Sequence, residues 1–353
     1  MSLNKFLLKW FRENKRNLPW RLERNPYKIW ISEVMLQQTQ VSTVIPYYLR
    51  FLERFPTIDA LANAPINDLM KLWEGLGYYS RAKNLKLAAQ AIIEKYGGNL
   101  PQSKNELLNL KGFGDYTSGS VASIAFGERC TAIDGNVLRV ISRLFEIRTD
   151  ITKPETKHQI EKIVYDLLPA RNPGEFNEAL MEFGALICTP KKPNCIGCPL
   201  RVYCKAYESA SVGELPFKPK KPKIPHKEIA VAVVKKGEKV LIAKRPEGGL
   251  LPNLWEFPGG KIEPNETAEA CCQRELLEET GLTIEVQDKI TSVKHSYTHF
   301  KITLHAFWAT VIKGTARAKA SQEIRWVKLT ELNLFAFPKA NQEVLKKILD
   351  QKG

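Results

Sequence analysis

The chain has 353 residues, enough for two domains that each bury a core. Its 44% hydrophobic content with mixed charge describes a soluble globular protein, and no apolar run approaches the ~20 residues that a bilayer span needs. A net charge of +15 favours a polyanionic partner over a merely solvated basic surface, and nucleic acid comes first because phosphate contacts are driven by counterion release.

In chain order, the opening MSLNKFLLKWFRENKR spaces apolar residues among charges and lacks a small-residue cleavage site. It reads as an amphipathic helix and not an export signal, which places the protein in the cytoplasm, nucleoid-associated if bacterial. Helical periodicity then dominates to residue 208, at Tyr27–Gln40, Ile66–Leu76, Ser80–Tyr96, Asn136–Phe145, Glu155–Leu168 and Phe176–Cys188. An all-α domain over 1–208 follows. Residues 209–227 are rich in Pro and Lys and read as a linker. From 228 to 353 the pattern is α+β: β-branched runs at Glu228–Val234 and Lys239–Arg245 flank a turn, and a helix at Thr267–Thr280 follows. Strands at Thr291–Lys294, Lys301–Val311 and Ile324–Leu329 and a helix at Ala340–Leu349 complete it.

Four features carry chemistry. Gly112-Phe113-Gly114 is a turn before a helix expected to open at Thr117, and its amides could seat a phosphate. Glu33 lies in the mostly apolar WISEVML, where desolvation should raise its pKa and suit it to donate a proton. Asp134 precedes Gly135 and a helix, as an N-cap does. Cys188, Cys195, Cys198 and Cys204 fall within seventeen positions as Cys-x6-Cys-x2-Cys-x5-Cys, a spacing that suits one compact zinc or iron–sulfur centre. Cys130, Cys271 and Cys272 are expected only to pack.

These residues resemble a known family. The cysteine loop is similar to the [4Fe-4S] loop of the endonuclease III and MutY glycosylases, with Lys191, Lys192 and Arg201 offering a basic face to phosphate. The runs SEVMLQQTQ (32–40), WEGLGYYSR (73–81) and DGNV (134–137) closely resemble the MutY adenine DNA glycosylases, a similarity that extends from about Trp20 to Cys204. The resemblance implies a helix-hairpin-helix domain whose hairpin glycines, Gly112 and Gly114, anchor DNA. It implies that Glu33 protonates adenine and that Asp134 stabilises the cationic sugar, with Asn136 and Tyr116 beside it. Arg21 and Glu178 would contact the flipped adenine, while Gln38 and Tyr78 enter the duplex. Relatives that cleave the strand through a Schiff base carry lysine where this chain has Tyr116, so a monofunctional glycosylase is expected. The expected partner is double-stranded DNA with A·8-oxoG or A·G mismatches, met as a monomer.

Residues 260–282, GKIEPNETAEACCQRELLEETGL, match the Nudix pattern, with Glu275, Glu278 and Glu279 expected to converge on Mg2+ or Mn2+. The flanking NLWEFPGG and FPKAN look like MutT, a hydrolase of oxidised guanine nucleotides. By resemblance Tyr297, Thr298, His299 and Asn341 would read 8-oxoguanine. Two readings stay open: lesion recognition, and hydrolysis of an oxidised guanine nucleotide through the intact box.

Overall fold

Helices in the first 200 residues begin where the sequence supplies an end. Asn25 accepts the N–H of Lys28 ahead of Pro26, and Asp134 accepts those of Asn136 and Val137, so each satisfies amides that a helix start leaves orphaned. In this computed structural model, which describes residues 2–219, 224–297 and 299–350, the main helices are α1 (Leu3–Asn14), α2 (Pro26–Leu36), α3 (Val41–Arg54), α4 (Ile66–Trp73), α5 (Ser80–Tyr96), α6 (Asp115–Phe126), α7 (Gly135–Leu144), α8 (Pro154–Leu167), α9 (Pro173–Leu186), α10 (Ala268–Thr280) and α11 (Lys339–Asp350). The expected helix Tyr27–Gln40 ends at Leu36, and α3, with Pro46 inside it, was not anticipated.

The chain divides into two compact units, Met1–Ala64 with Asn84–Lys221, and Pro65–Lys83 with Pro222–Gly353. In the first, α1, α7, α8 and α9 share a core built on Leu7, Phe11, Val140, Ile160, Phe176 and Phe183. Against α6 lies α2, which is buried on nearly every face, from Tyr27 to Met35. A helix apolar all round must run through an interior. The segment read as a linker is tied down at its start: Arg143 Nε donates to Leu215 O at 2.9 Å, and both Ser211 and Leu215 are buried.

The second unit holds a mixed sheet of β1 (His226–Lys236), β2 (Lys239–Lys244), β3 (Trp255–Glu256), β4 (Gly259–Lys261), β5 (Thr283–Ser296), β6 (Lys301–Lys313) and β7 (Glu323–Lys328), in the order β3-β2-β1-β6-β5 with β4 beside β1 and β7 beside β2. Among the described residues only β1 and β6 pair in parallel. Alternation along β1 sends Ala230, Ala232 and Val234 toward α10 and Val231 and Val233 toward α11, so both faces are covered. The short strand expected at Thr291–Lys294 is the end of β5, whose register shifts near Val286–Thr291 break the period that a sequence reading depends on.

Candidate active site

The packing of α2 on α6 brings Glu33 to Tyr116. Glu33 is 6% exposed, and its carboxylate accepts the Tyr116 hydroxyl, which also lies 3.3 Å from Met181 Sδ. Burial raises the Glu33 pKa to about 7; the Tyr116 hydrogen bond opposes the shift, while the charges of Glu178 and Asp134 add to it. Burial beside that acid also drives the phenol well above its ordinary range. A carboxyl poised near neutrality, with a fixed donor beside it, suits general acid work.

Asp134 caps α7 with Oδ1, which accepts the N–H groups of Asn136 and Val137, each at 2.8 Å. Its Oδ2 accepts Asn136 Nδ2 at 2.6 Å. Burial raises its pKa, and these hydrogen bonds pull the other way. The Asn136 amide is held from both ends, since its Oδ1 accepts Arg139 Nη2 at 2.8 Å. Arg139 also donates to Gly184 O and to Cys188 O, at 2.8 and 2.7 Å. Thus the Asp134 cluster is tied to the start of the cysteine loop through one guanidinium.

On α9, Glu178 Oε1 accepts Arg21 Nε at 3.1 Å, so the two residues expected at the base do meet. Burial raises the Glu178 pKa in spite of Arg21. Gly112 sits at φ +84, and a Cβ there would fall 2.7 Å from Asn84 Cβ, so only glycine fits. Gly114 has open space around it and serves as the N-cap of α6, which opens at Asp115, two residues before the expected start. Its extended backbone leaves the first helical turn to begin at once.

Gln38 and Tyr78 both hold left-handed backbone, φ +57 and +47, rare for residues with side chains. Tyr78 is 39% exposed and stands on a loop whose Gly77 carbonyl accepts Trp73 Nε1 and Arg81 Nη2, at 3.0 and 3.1 Å. Such strain persists only where surroundings impose it, and it gathers at functional positions.

All four loop cysteines are free thiols and line one pocket, with Val140, Leu144, Phe183, Ile187 and Arg143 among its walls. Arg143 Nη1 lies 3.4 Å from Cys188 Sγ. Four thiols line an apolar pocket beside a buried cation, soft donors of the kind that suit an iron–sulfur group, although among the described residues no three of them gather closely enough for a single metal ion. Lys191, Lys192 and Arg201 are exposed next to it.

In the second unit, Arg274 draws Glu266 Oε1 and Glu275 Oε1 to 2.8 Å and reaches Glu278 Oε2 at 3.5 Å. Glu279 turns instead to the Gly259 N–H at 3.3 Å, and burial raises its pKa to about 7. The expected convergence of Glu275, Glu278 and Glu279 therefore does not occur: among the described residues no three His, Cys, Asp or Glu side chains gather closely enough for a single metal ion. Tyr297 lies between His295 and Phe300, ring centroids 4.6 and 4.9 Å away, near Trp255 paired with Phe335 and Phe257 paired with Phe337. Asn341 is buried, and its Oδ1 accepts the Phe257 N–H at 3.2 Å. His299 is exposed, and Thr298 lies outside the described residues.

Comparison with known proteins gives this arrangement its family. Residues 31–165 match the HhH-GPD superfamily of base excision DNA repair proteins, and 229–347 match the NUDIX domain. The chain is 34% identical to the adenine DNA glycosylase of Mus musculus, over 98% of its own length and 78% of that protein's. The chain belongs to the adenine DNA glycosylase family. It is also 32% identical to the adenine DNA glycosylase of Buchnera aphidicola subsp. Baizongia pistaciae, over 97% of this chain and 95% of that one. Among solved structures, a thermostable thymine-DNA glycosylase superposes with TM-score 0.54 at 30% identity, covering 58% of this chain and 95% of its own. An endonuclease III–DNA complex does so at 0.51 and 26%, covering 59% and 94%.

For a member of the adenine DNA glycosylase family, several site residues escape sequence reasoning. Arg139 has one local signal, its i+3 spacing from Asn136 on α7. Gln37, whose Nε2 donates to Thr117 Oγ1 at 2.9 Å, and the Arg16–Glu182 pair have none, because their partners are distant in sequence. No helix among the described residues is long and apolar enough to cross a membrane.

Proposed function

We propose that this chain hydrolyses the N-glycosidic bond of adenine mispaired with 8-oxoguanine or guanine in double-stranded DNA, without strand cleavage of its own. The observation that carries the reading is the pairing of two unlike carboxyls. Glu33, half protonated near neutrality, can give its proton to the departing adenine; Asp134, held by α7 amides and by Asn136, can face the cationic charge that grows on the sugar. Arg21 and Glu178 would receive the base after it swings out, an event that costs a few kcal/mol, offset by side chains that fill the gap. Gln38 and Tyr78 are those fillers, and Gly112 with Gly114 seats a backbone phosphate. Tyr116 supplies a phenol bound to Glu33 where a Schiff base would need an amine.

The cysteines would hold a [4Fe-4S] cluster, which supplies a rigid, charged support for the basic loop. In the second unit the aromatic cluster around Tyr297, together with Asn341, His299 and Thr298, would read 8-oxoguanine, and the protein would act on DNA in the cell interior. A second reading is favoured by the complete Nudix box: hydrolysis of an oxidised guanine nucleotide after Glu275, Glu278 and Glu279 regroup around Mg2+ or Mn2+. Full-length protein with 8-oxo-dGTP and Mg2+, compared with Glu278→Gln, decides it.

The main test is adenine release from an A·8-oxoG duplex. Asp134→Asn is expected to abolish release while DNA binding persists, and release at the wild-type rate would exclude the assignment. Borohydride should trap no covalent adduct.

A further inference from the structure

One buried acid has no part in the chemistry above. Glu182 lies one turn beyond Glu178 on α9, and its side chain is 2% exposed. Its Oε1 accepts the Arg16 N–H at 2.9 Å, Arg16 Nε at 2.8 Å and Arg21 Nη1 at 3.1 Å. Its Oε2 accepts Arg16 Nη2 at 2.6 Å and Arg21 Nη2 at 3.3 Å. Arg21 also gives Nη1 to Arg16 O at 3.2 Å and Nε to Glu178, so each of its three nitrogens is engaged within the protein. Its guanidinium lies over the Phe11 ring, 5.3 Å from the centroid.

From this geometry we infer that Glu182 is a positioning residue for base selection: it locks the Arg21 guanidinium, and Arg21 in turn fixes the Glu178 carboxylate at the angle that receives the base. The inference rests on the reading of Arg21 and Glu178 as the pair that meets adenine. A buried carboxylate persists only where hydrogen bonds and countercharge offset its lost hydration. Two guanidiniums do so here, and the burial that would raise the Glu182 pKa is outweighed by Arg16 and Arg21, which hold it down at about 2. Two acids and two cations then balance in one cluster. Without the Glu182 charge, Arg21 Nη2 loses its carboxylate partner and Nη1 keeps only the Arg16 carbonyl, so the guanidinium is drawn onto Glu178, turning the carboxylate away. A carboxylate can only accept hydrogen bonds, and the donor on the adenine edge is its exocyclic amine. The loss therefore falls on discrimination among bases, while Glu33 and Asp134 keep their contacts.

The test measures single-turnover release by full-length protein from duplexes carrying adenine or unsubstituted purine, each opposite 8-oxoguanine. Glu182→Gln is expected to lower the adenine-to-purine rate ratio about tenfold, the scale of one charge-assisted hydrogen bond. That drop should vanish in an Arg21→Lys background, because coupled residues do not add. A uniform fall in both rates with the ratio intact would overturn the proposal. If the Gln variant does not fold, as judged by circular dichroism, Glu182→Asp keeps the charge and shortens the reach; a ratio unchanged in that folded variant overturns it equally. A wild-type protein that releases no adenine would instead sink the glycosylase reading itself.

Discussion

At the scale of single residues, Glu33 is the group whose environment makes a sharp demand on pH. Its ordinary pKa of 4.5 is raised to about 7 in the folded protein, so folding favours its protonated form. The stability it contributes is complete below pH 4.5 and lost as pH rises through about 7. Glu33→Gln should therefore melt at the wild-type temperature near pH 4.5 and be more stable above pH 7.5, by on the order of 3 kcal/mol, read from denaturant titrations at the two pH values. The same variant should release adenine at least ~100-fold more slowly, and the wild-type rate should fall as pH climbs past 7, since the acid must carry its proton. An alkaline optimum would remove Glu33 from that role. Glu33 was legible because five of the six residues around it, from Trp30 to Leu36, are apolar; Asp134 was legible because a helix opens after it. Glu182 was not, because its partners lie 161 and 166 residues away and nothing local distinguishes it from a surface acid.

At the scale of elements, close helix contact decides how well the site is held. A Cβ on Gly184 of α9 would fall 2.6 Å from Asn136 Cβ on α7. Gly184→Ala should push Asn136 off Asp134, lowering adenine release roughly 10- to 100-fold, since small misplacements at a reacting centre are costly. Its stability should fall by only about 1 to 3 kcal/mol, as overpacking does. Parallel measurement of melting and single-turnover rate separates the two effects, and unaffected catalysis would show that Asn136 tolerates displacement. Helix periodicity read α5 to the residue, α7 and α8 within one and α9 within three. It failed at α3, where Pro46 disguises a continuous helix, and at β5, where bulges erase alternation. Both failures come from backbone features that leave the hydrophobic pattern ambiguous.

At the scale of the whole molecule, the +15 charge should make DNA affinity fall steeply with salt, by about a hundredfold or more between 50 and 200 mM if several phosphates are neutralised. Fluorescence titration across that range checks it, and a flat response would assign the charge to solubility. The pocket of four cysteines makes a second demand: anaerobically purified protein should be yellow-brown with a band near roughly 400 nm. A colourless protein bearing one zinc would overturn the cluster. The division of the chain was half legible. Composition marks the change near residue 209, but nothing in residues 65–83 announces that they pack with the NUDIX half, because tertiary contacts alone assign them. The left-handed backbone at Gln38 and Tyr78 also bears on how a rare lesion is found. A repair enzyme must interrogate a great excess of sound base pairs, and any loop that had to be bent anew at every step would lengthen each inspection. With Gln38 and Tyr78 as the proposed duplex-entering residues, the bend would be met once, during folding, and the time spent on each pair would be set by how readily the DNA yields.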